Sequence, residues 1–362
     1  MKIIDRYILK NFLSTFFFCI LLLTMIVVVI DISEKTDDFV RSGLSPWRIF
    51  IDYYGNFIPH IDAMLFPLFT FIAVIFFTSR MADRTEVVAI LSSGVSLRRF
   101  LLSYWIGGGL LALMLWAANH TILPRANAGW SNFEAKYVGG NLDYTKEFTG
   151  RNYYFRIDSN SYAGLRYYDT TSRAGSGFFI QKIIGNRLVY NLRSDNISWD
   201  TAVKKWKLNG ITERTFAGDM EKVKRTSSLT MQYNFRPRDL RRDDFLKDRM
   251  TTAELNDYIA LQKLRGTEGI NDLLVERYNR DAIPASLIIL TLIGAILSSK
   301  KVRGGSGFHL AVGVILSVIY VLFSRLSVVF SIKGDFPPLL AAWVPNIIFG
   351  ILAYYFYRRA VR

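Results

Sequence analysis

The chain has 362 residues, 51% of them apolar and 15% aromatic, with a formal net charge of +15. So much apolar and aromatic material excludes an intrinsically disordered chain. A single cysteine, Cys19, excludes an intramolecular disulfide framework, and His60, His120 and His309 stand too far apart for a metal-ligand spacing.

A helix needs about 20 apolar residues to cross the hydrocarbon core of a bilayer. Residues 12–30 carry no charge and form the first such run. Lys2, Arg6 and Lys10 precede it, as in a signal peptide. The run is longer than a typical signal core, however, and Asp31-Ile-Ser-Glu34 is no small-x-small cleavage site, so a retained helix is expected. Residues 63–78 form the second run, with Pro59, His60 and Asp62 at its entrance. Asp31, Glu34, Lys35, His60 and Asp62 would gather at the ends of these two helices.

Between the second and third runs lies a short segment from Ser79 to Gly94. Asp83, with Glu86 three residues on, reads as a capping box, and Gly94 fits a helix stop. A helix of about nine residues, roughly 14 Å long, is expected here. Val87, Val88, Ile90 and Leu91 make it more apolar than a solvated loop needs. It is either an amphipathic connector resting on lipid or a coupling helix that docks in a partner's groove. Ser96 would cap the third run, 100–122.

Residues 123–281 change character. Leu229-Thr-Met-Gln-Tyr-Asn-Phe235 alternates apolar and polar, the period of a strand with one face buried. Residues 152–158, 178–183, 187–193 and 206–212 also read as strands. Gly175-Ser-Gly177, Gly185-Asn186, Asn209-Gly210 and Gly218-Asp219 read as turns between them. Many short, closely spaced strands suggest a sandwich or jelly roll. Thr251-x-x-Glu254 is a second capping box, opening a helix through Leu255, Tyr258, Ile259 and Leu261 that stops at Gly266. Helix near 273–280 leads into the fourth apolar run, 282–299. The fifth, 308–332, holds one charge, Arg325, and the sixth is 339–357.

The expected fold is thus an α-helical membrane protein with six transmembrane helices and an inserted all-β domain, sandwich-like or jelly-roll-like. Residues 1–122 hold helices one to three, with the connector or coupling helix at about 80–94. Residues 123–281 form the β domain and its helical connector, and 282–362 hold helices four to six. Segments 1–11, 79–99, 299–307 and 357–362 carry 13 Lys/Arg against 3 Asp/Glu, whereas 31–58 and 332–337 carry 4 against 6. That bias puts both termini in the cytosol and 123–281 outside. The cytosolic basic residues are thereby explained without nucleic acid. There is no phosphate-binding G-x-x-x-x-G-K-[ST], no H-E-x-x-H and no G-x-S-x-G, so no enzyme constellation is found.

The segment Asp83-Arg-Thr-Glu-Val-Val-Ala-Ile-Leu-Ser-Ser-Gly-Val-Ser-Leu97 resembles the coupling motif of the LptF/LptG-type lipopolysaccharide-export permeases. Asp5-Arg-Tyr-Ile8, Ala341-Ala-Trp-Val-Pro-Asn346, and Asn196-Ile-Ser-Trp-Asp200 with Trp206-Lys-Leu-Asn209 are similar to that family as well, in order along nearly the whole chain. The first of these leans slightly to the LptG type. The resemblance implies an inner-membrane ABC transporter permease that pairs with a paralogous LptF/LptG-type subunit. A separate LptB-type ATPase dimer would use the ATP, and this chain would bind no cofactor. Lipopolysaccharide would leave the inner membrane for a periplasmic bridge of LptC and LptA types. Glu86, flanked by Asp83 and Arg84, would carry the family's coupling role. The other readings are a mechanotransmission subunit of another ABC system and a membrane-anchored structural or glycan-binding protein.

Two basic residues are candidates for an anionic lipid head group. Arg325 is costly inside a span and so is expected either to snorkel to the outer interface or to face the bundle interior. Lys35 stands near the outer ends of the first two helices, where Asp31, Asp37 and Asp38 crowd the same place. Asp62 would pair with Arg325 or Lys35. Residues 123–280 carry 27 Lys/Arg and 19 Asp/Glu, a balance that attracts phosphates or carboxylates.

Overall fold

A computed structural model describes all but residues 1–2, 139–152, 159, 170–171, 186, 218–219, 234, 238–245, 266–268, 301–304 and 362. The chain divides into two compact units: 1–140 with 247–255 and 271–362, and 141–246 with 256–270.

The first unit is helical. Its helices are α1 (Ile3–Ser42), α2 (Pro46–Ile49), α3 (Gly55–Asp83), α4 (Glu86–Ser92), α5 (Leu97–Thr121) and α6 (Leu123–Phe133). After the insertion follow α7 (Leu246–Arg249), α8 (Thr252–Arg265), whose residues from Asn256 on belong to the second unit, α9 (Ile270–Ser298), α10 (Gly305–Lys333) and α11 (Pro338–Val361). Among the described residues, six helices are long and apolar enough to cross a membrane: α1, α2 running on into α3, α5, α9, α10 and α11. They coincide with the six apolar runs, but several overshoot them. Helix α1 continues twelve residues past Ile30 to Ser42, where Gly43 at φ +66° ends it.

Close helix approach rests on small residues. A Cβ on Gly107 would lie 2.7 Å from the Phe12 ring, and one on Gly294 would lie 2.9 Å from Val74 Cγ1. The main core gathers Phe12, Phe16, Phe66, Val74, Tyr104 and Leu287.

Of the four prolines inside spanning helices, Pro59, Pro67, Pro284 and Pro345, the last two leave carbonyls that a neighbouring helix fills. Pro284 in α9 has no N–H for the carbonyl of Arg280, four residues back. Asn119 of α5 donates to that oxygen at 3.1 Å. Pro345 in α11 likewise frees Ala341, and Ser327 of α10 donates there at 2.7 Å. Asn346 donates to the Ala282 carbonyl at 2.6 Å and accepts from Tyr320. In an apolar surrounding such side-chain bonds take the place of water. The Ala341–Asn346 stretch singled out in the sequence is therefore a three-helix pin.

The second unit holds one antiparallel sheet. Its strands are β1 (Tyr153–Asp158), β2 (Ser161–Leu165), β3 (Tyr167–Asp169), β4 (Ala174–Ile184), β5 (Arg187–Asp200), β6 (Lys205–Ala217) and β7 (Met220–Met231). They pair in the order β1-β2-β4-β5-β6-β7, with β3 on β4. One face buries Leu165, Tyr168, Phe178, Leu192, Trp206 and Phe235.

Several sequence readings need correction here. The expected turns at Gly175–Gly177 and Asn209–Gly210 lie inside strands. Gly210, at φ +65°, lies inside the β5–β6 ladder, whose register runs unbroken from Ser194–Ile211 to Asn196–Asn209, and a Cβ there would run into the Asp195 carboxylate. The true β5–β6 turn follows Asp200, whose Oδ1 accepts from the Ala202 and Val203 amides. The expected strand at 229–235 is paired only through Met231, although Tyr233 and Phe235 still pack into the core. Gly218-Asp219 lies outside the described residues. The Thr251–Glu254 capping box is present: the Thr251 amide donates to Glu254 at 2.9 Å and the Glu254 amide to Thr251 Oγ1 at 3.4 Å. The Thr251 amide and hydroxyl, both donating to the carboxylate, hold the Glu254 carboxyl below its usual range.

Candidate functional site

The segment between α3 and α5 differs from its capping-box reading. Asp83 does not cap α4, because it is still the last residue of α3. Thr85 takes the cap position at φ +59°, in the left-handed region, with no side-chain cap bond. Its hydroxyl donates instead to the Arg84 carbonyl at 2.6 Å. The sharp reversal turns α4 back over seven residues, not nine. Ser93 and Gly94, at φ +86°, close it, and Ser96 Oγ caps α5 by accepting from the Arg99 amide at 3.3 Å.

Glu86 opens α4 half-buried. Its Oε2 accepts from the Tyr7 hydroxyl of α1 at 3.0 Å, and its Oε1 lies 3.9 Å from the Arg84 guanidinium. Val87 is 1% exposed and packs into the main core, whereas Val88 points outward at 55%. One face of α4 is thus anchored and the other free. Beside it opens a cavity of about 320 Å³ lined by Val87, Val88, Leu91, Leu97, Lys300 and Ala360. The start of α5 is tied down too: Arg99 meets Asp5 of α1 at 2.5 Å, with the Asp5 side chain 7% exposed.

At the other end of the helices, Lys35 lies in a closed polar knot. Its ammonium donates to Tyr53 at 2.6 Å and to Glu134 at 2.8 Å, and stands 3.5 Å from Asp31. Tyr53 and Tyr54 also donate to the two oxygens of Asp31. Phe39, Phe57 and Phe133 pack around this knot. Two of the three ammonium hydrogens thus have internal acceptors, and the Asp31 carboxylate stands opposite the charge. Asp31, which the sequence showed only as crowding, is the centre of the knot. Asp62 pairs with neither Lys35 nor Arg325; it accepts from Thr24 at 2.5 Å. His60 meets Asn127 at 2.9 Å and stacks on Trp130.

Arg325 lies exposed on α10, with no hydrogen bond or ion pair among the described residues. It is not brought together with Lys35. Sequence reading missed a second buried cation, Arg280, which is 5% exposed. It bonds to Glu276 at 3.3 Å, to Thr252 Oγ1 at 3.1 Å and to the Lys247 carbonyl at 2.9 Å, and Lys247 pairs with Asp272. The Glu276–Arg280 spacing of four was the available signal. Tyr7 was the other omission, visible in the sequence only as part of Asp5-Arg-Tyr-Ile8. No group of three or more potential ligands able to hold a metal ion occurs among the described residues.

Comparison with known proteins agrees with this architecture over its length. The chain is similar to the lipopolysaccharide export system permease protein LptG of Escherichia coli strain K12, at 21% identity over 357 residues, 97% of this chain and 96% of that one. The protein of the same name from Escherichia coli O6:H1 strain CFT073 matches to the same extent. The family model described as lipopolysaccharide export system permease LptF/LptG matches residues 6–359, and the chain belongs to that family.

Proposed function

We propose that this chain is the membrane-spanning subunit of a lipopolysaccharide exporter, paired with a second permease of its kind and driven through α4 by a separate ATPase. The family match across residues 6–359 carries this reading. The Lys/Arg bias sets both termini and α4 in the cytosol and the β domain in the periplasm. On that orientation the outward face of α4, with Val88 exposed and Glu86 at its start, is the part an ATPase groove reaches. Arg325 is the stronger of the two head-group candidates. Its guanidinium is exposed, and Arg forms bidentate bonds with phosphate or carboxylate. Lys35 would have to give up Tyr53 and Glu134 first.

The test is reconstitution of the permease pair and ATPase in vesicles containing lipopolysaccharide. Glu86→Lys should cut stimulated ATP hydrolysis and release of lipopolysaccharide at least tenfold, because a reversed charge in a docked interface costs several kcal/mol. Full activity in that variant would remove Glu86 from the coupling role.

A further inference from the structure

Helix α4 is joined through the chain only to α3 and α5, yet it is also held by α1. Tyr7 donates to Glu86 at the start of α4, and Asp5 grips Arg99 just beyond its end. The two contacts bracket the segment from 86 to 99. They sit on one end of a stripe of buried α1 residues, Asp5, Ile8, Phe12 and Phe16, spaced three or four apart. This stripe extends for about 16 Å of helix. Phe12 lies against Tyr104 and over Gly107 of α5, so the stripe is seated closely on its neighbour. Past Phe16 the hydrophobic part of α1 is mostly uncovered. Helix α1 therefore resembles a lever held at both ends, by the Asp31–Lys35 knot at one and, at the other, by the residues that touch the α4 segment.

We infer that Tyr7 and Asp5 are positioning residues that pass displacement of α4 to α1 and hold the Glu86 carboxylate in its working orientation. This rests on the coupling reading of α4 given above. The chemistry suits the task. A carboxylate has about four lone-pair sites, and Tyr7 occupies one on Oε2, leaving others to accept from a docked partner. Asp5 is buried, so its bond to Arg99 is shielded from solvent in a way an exposed ion pair is not. The two contacts differ in kind, one a neutral hydroxyl on a carboxylate and the other an ion pair. They can be removed separately.

The experiment uses the complete permease–ATPase complex in vesicles with lipopolysaccharide. Three quantities are read: co-purified ATPase, ATP hydrolysed, and lipopolysaccharide released per ATP. Tyr7→Phe removes one hydroxyl and should leave ATPase co-purification unchanged while release per ATP falls about two- to fivefold, the worth of one partly exposed hydrogen bond. Asp5→Arg and Arg99→Asp should each lower release per ATP further, and the double swap should recover most of it. A merely structural role would change protein yield and not this ratio. Unchanged release per ATP in Tyr7→Phe, or a double swap no better than its singles, would overturn the inference. Glu86→Lys is run alongside. If it couples normally, the α4 reading fails and the inference fails with it. If it uncouples while Tyr7→Phe and the swaps have no effect, only the lever is refuted.

Discussion

Helices α3, α5 and α9 are built from much the same residues as α1, α10 and α11, yet they occupy different environments. In the first set, 50–61% of the most apolar stretch is buried within the chain; in the second, 11–28%. The most apolar of the six, α1, is the least covered. Apolarity marks a span but does not say which spans lie inside, because lipid accepts an apolar face as readily as another helix does. Small residues at close approach and polar groups with partners mark the helix contacts of both sets, and Gly313, Ser327 and Asn346 lie on α10 and α11. Gly107, Gly108 and Gly294 lie on α5 and α9, and so do Thr291, Ser286 and Arg280. The outer set keeps long rows of exposed Leu, Ile, Val and Phe.

The sharpest way to break this contrast is to remove one arginine from each set. Arg280→Ala on α9 leaves Glu276 without its buried counter-charge and two further acceptors without a donor, and should cost about 3–5 kcal/mol. Arg325→Ala on α10 should leave the amount and melting temperature of detergent-solubilised protein unchanged. A smaller effect separates adjacent residues of α5. A side chain on Gly108 meets Thr291 Oγ1 at 2.9 Å and the Ile288 backbone at 3.3 Å, whereas Gly109 has nothing within 4 Å. Gly108→Val should therefore cost about 1–3 kcal/mol by overpacking, with Gly109→Val neutral in the same melting assay.

Ser327→Ala should lower stability by about 0.6 kcal/mol, the average measured for such bonds within membranes, by leaving the Ala341 carbonyl unfilled. Smallest of all is a pH effect at the edge of the inner set. Burial pushes the Asp248 carboxyl up, against the pull of Lys247, His60 and Arg280. Its protonated form is thus favoured by folding. That stability is present below the ordinary carboxylate value, about pH 3.9, and is lost as pH rises through the raised one. Asp248→Asn should flatten the decline in melting temperature across that window.

The spans were legible because apolar length is a direct consequence of bilayer thickness. Their ends were less so. Asp31 to Arg41 looked like a loop, since charges end an apolar run, but nothing there breaks a helix, and Asp31 and Lys35 instead find Tyr53, Tyr54 and Glu134 from elsewhere in the chain. Asp83 and Glu86 have capping-box spacing, yet α3 simply continues through Asp83, and the same pattern at Thr251 and Glu254 does cap. Local spacing cannot tell these apart, because the preceding helix decides. In the β domain, Gly175, Gly177 and Gly210 were read as turns, but glycine serves left-handed positions and close contacts inside a strand equally well. Strand β7 was nearly invisible, its residues from Met220 to Met231 being mostly exposed and polar, so it shows no alternation. The tie between Tyr7 and Glu86 spans 79 positions and has no local signature.

The two proline gaps have a consequence for the order in which the molecule is made. The carbonyl freed by Pro284 on α9 is filled by Asn119 from α5, and the one freed by Pro345 on α11 by Ser327 from α10. In both cases the donor belongs to a helix synthesised earlier. Each of these helices thus leaves the ribosome after the group that will satisfy it, and neither has to wait in lipid with an unanswered carbonyl for a segment not yet translated.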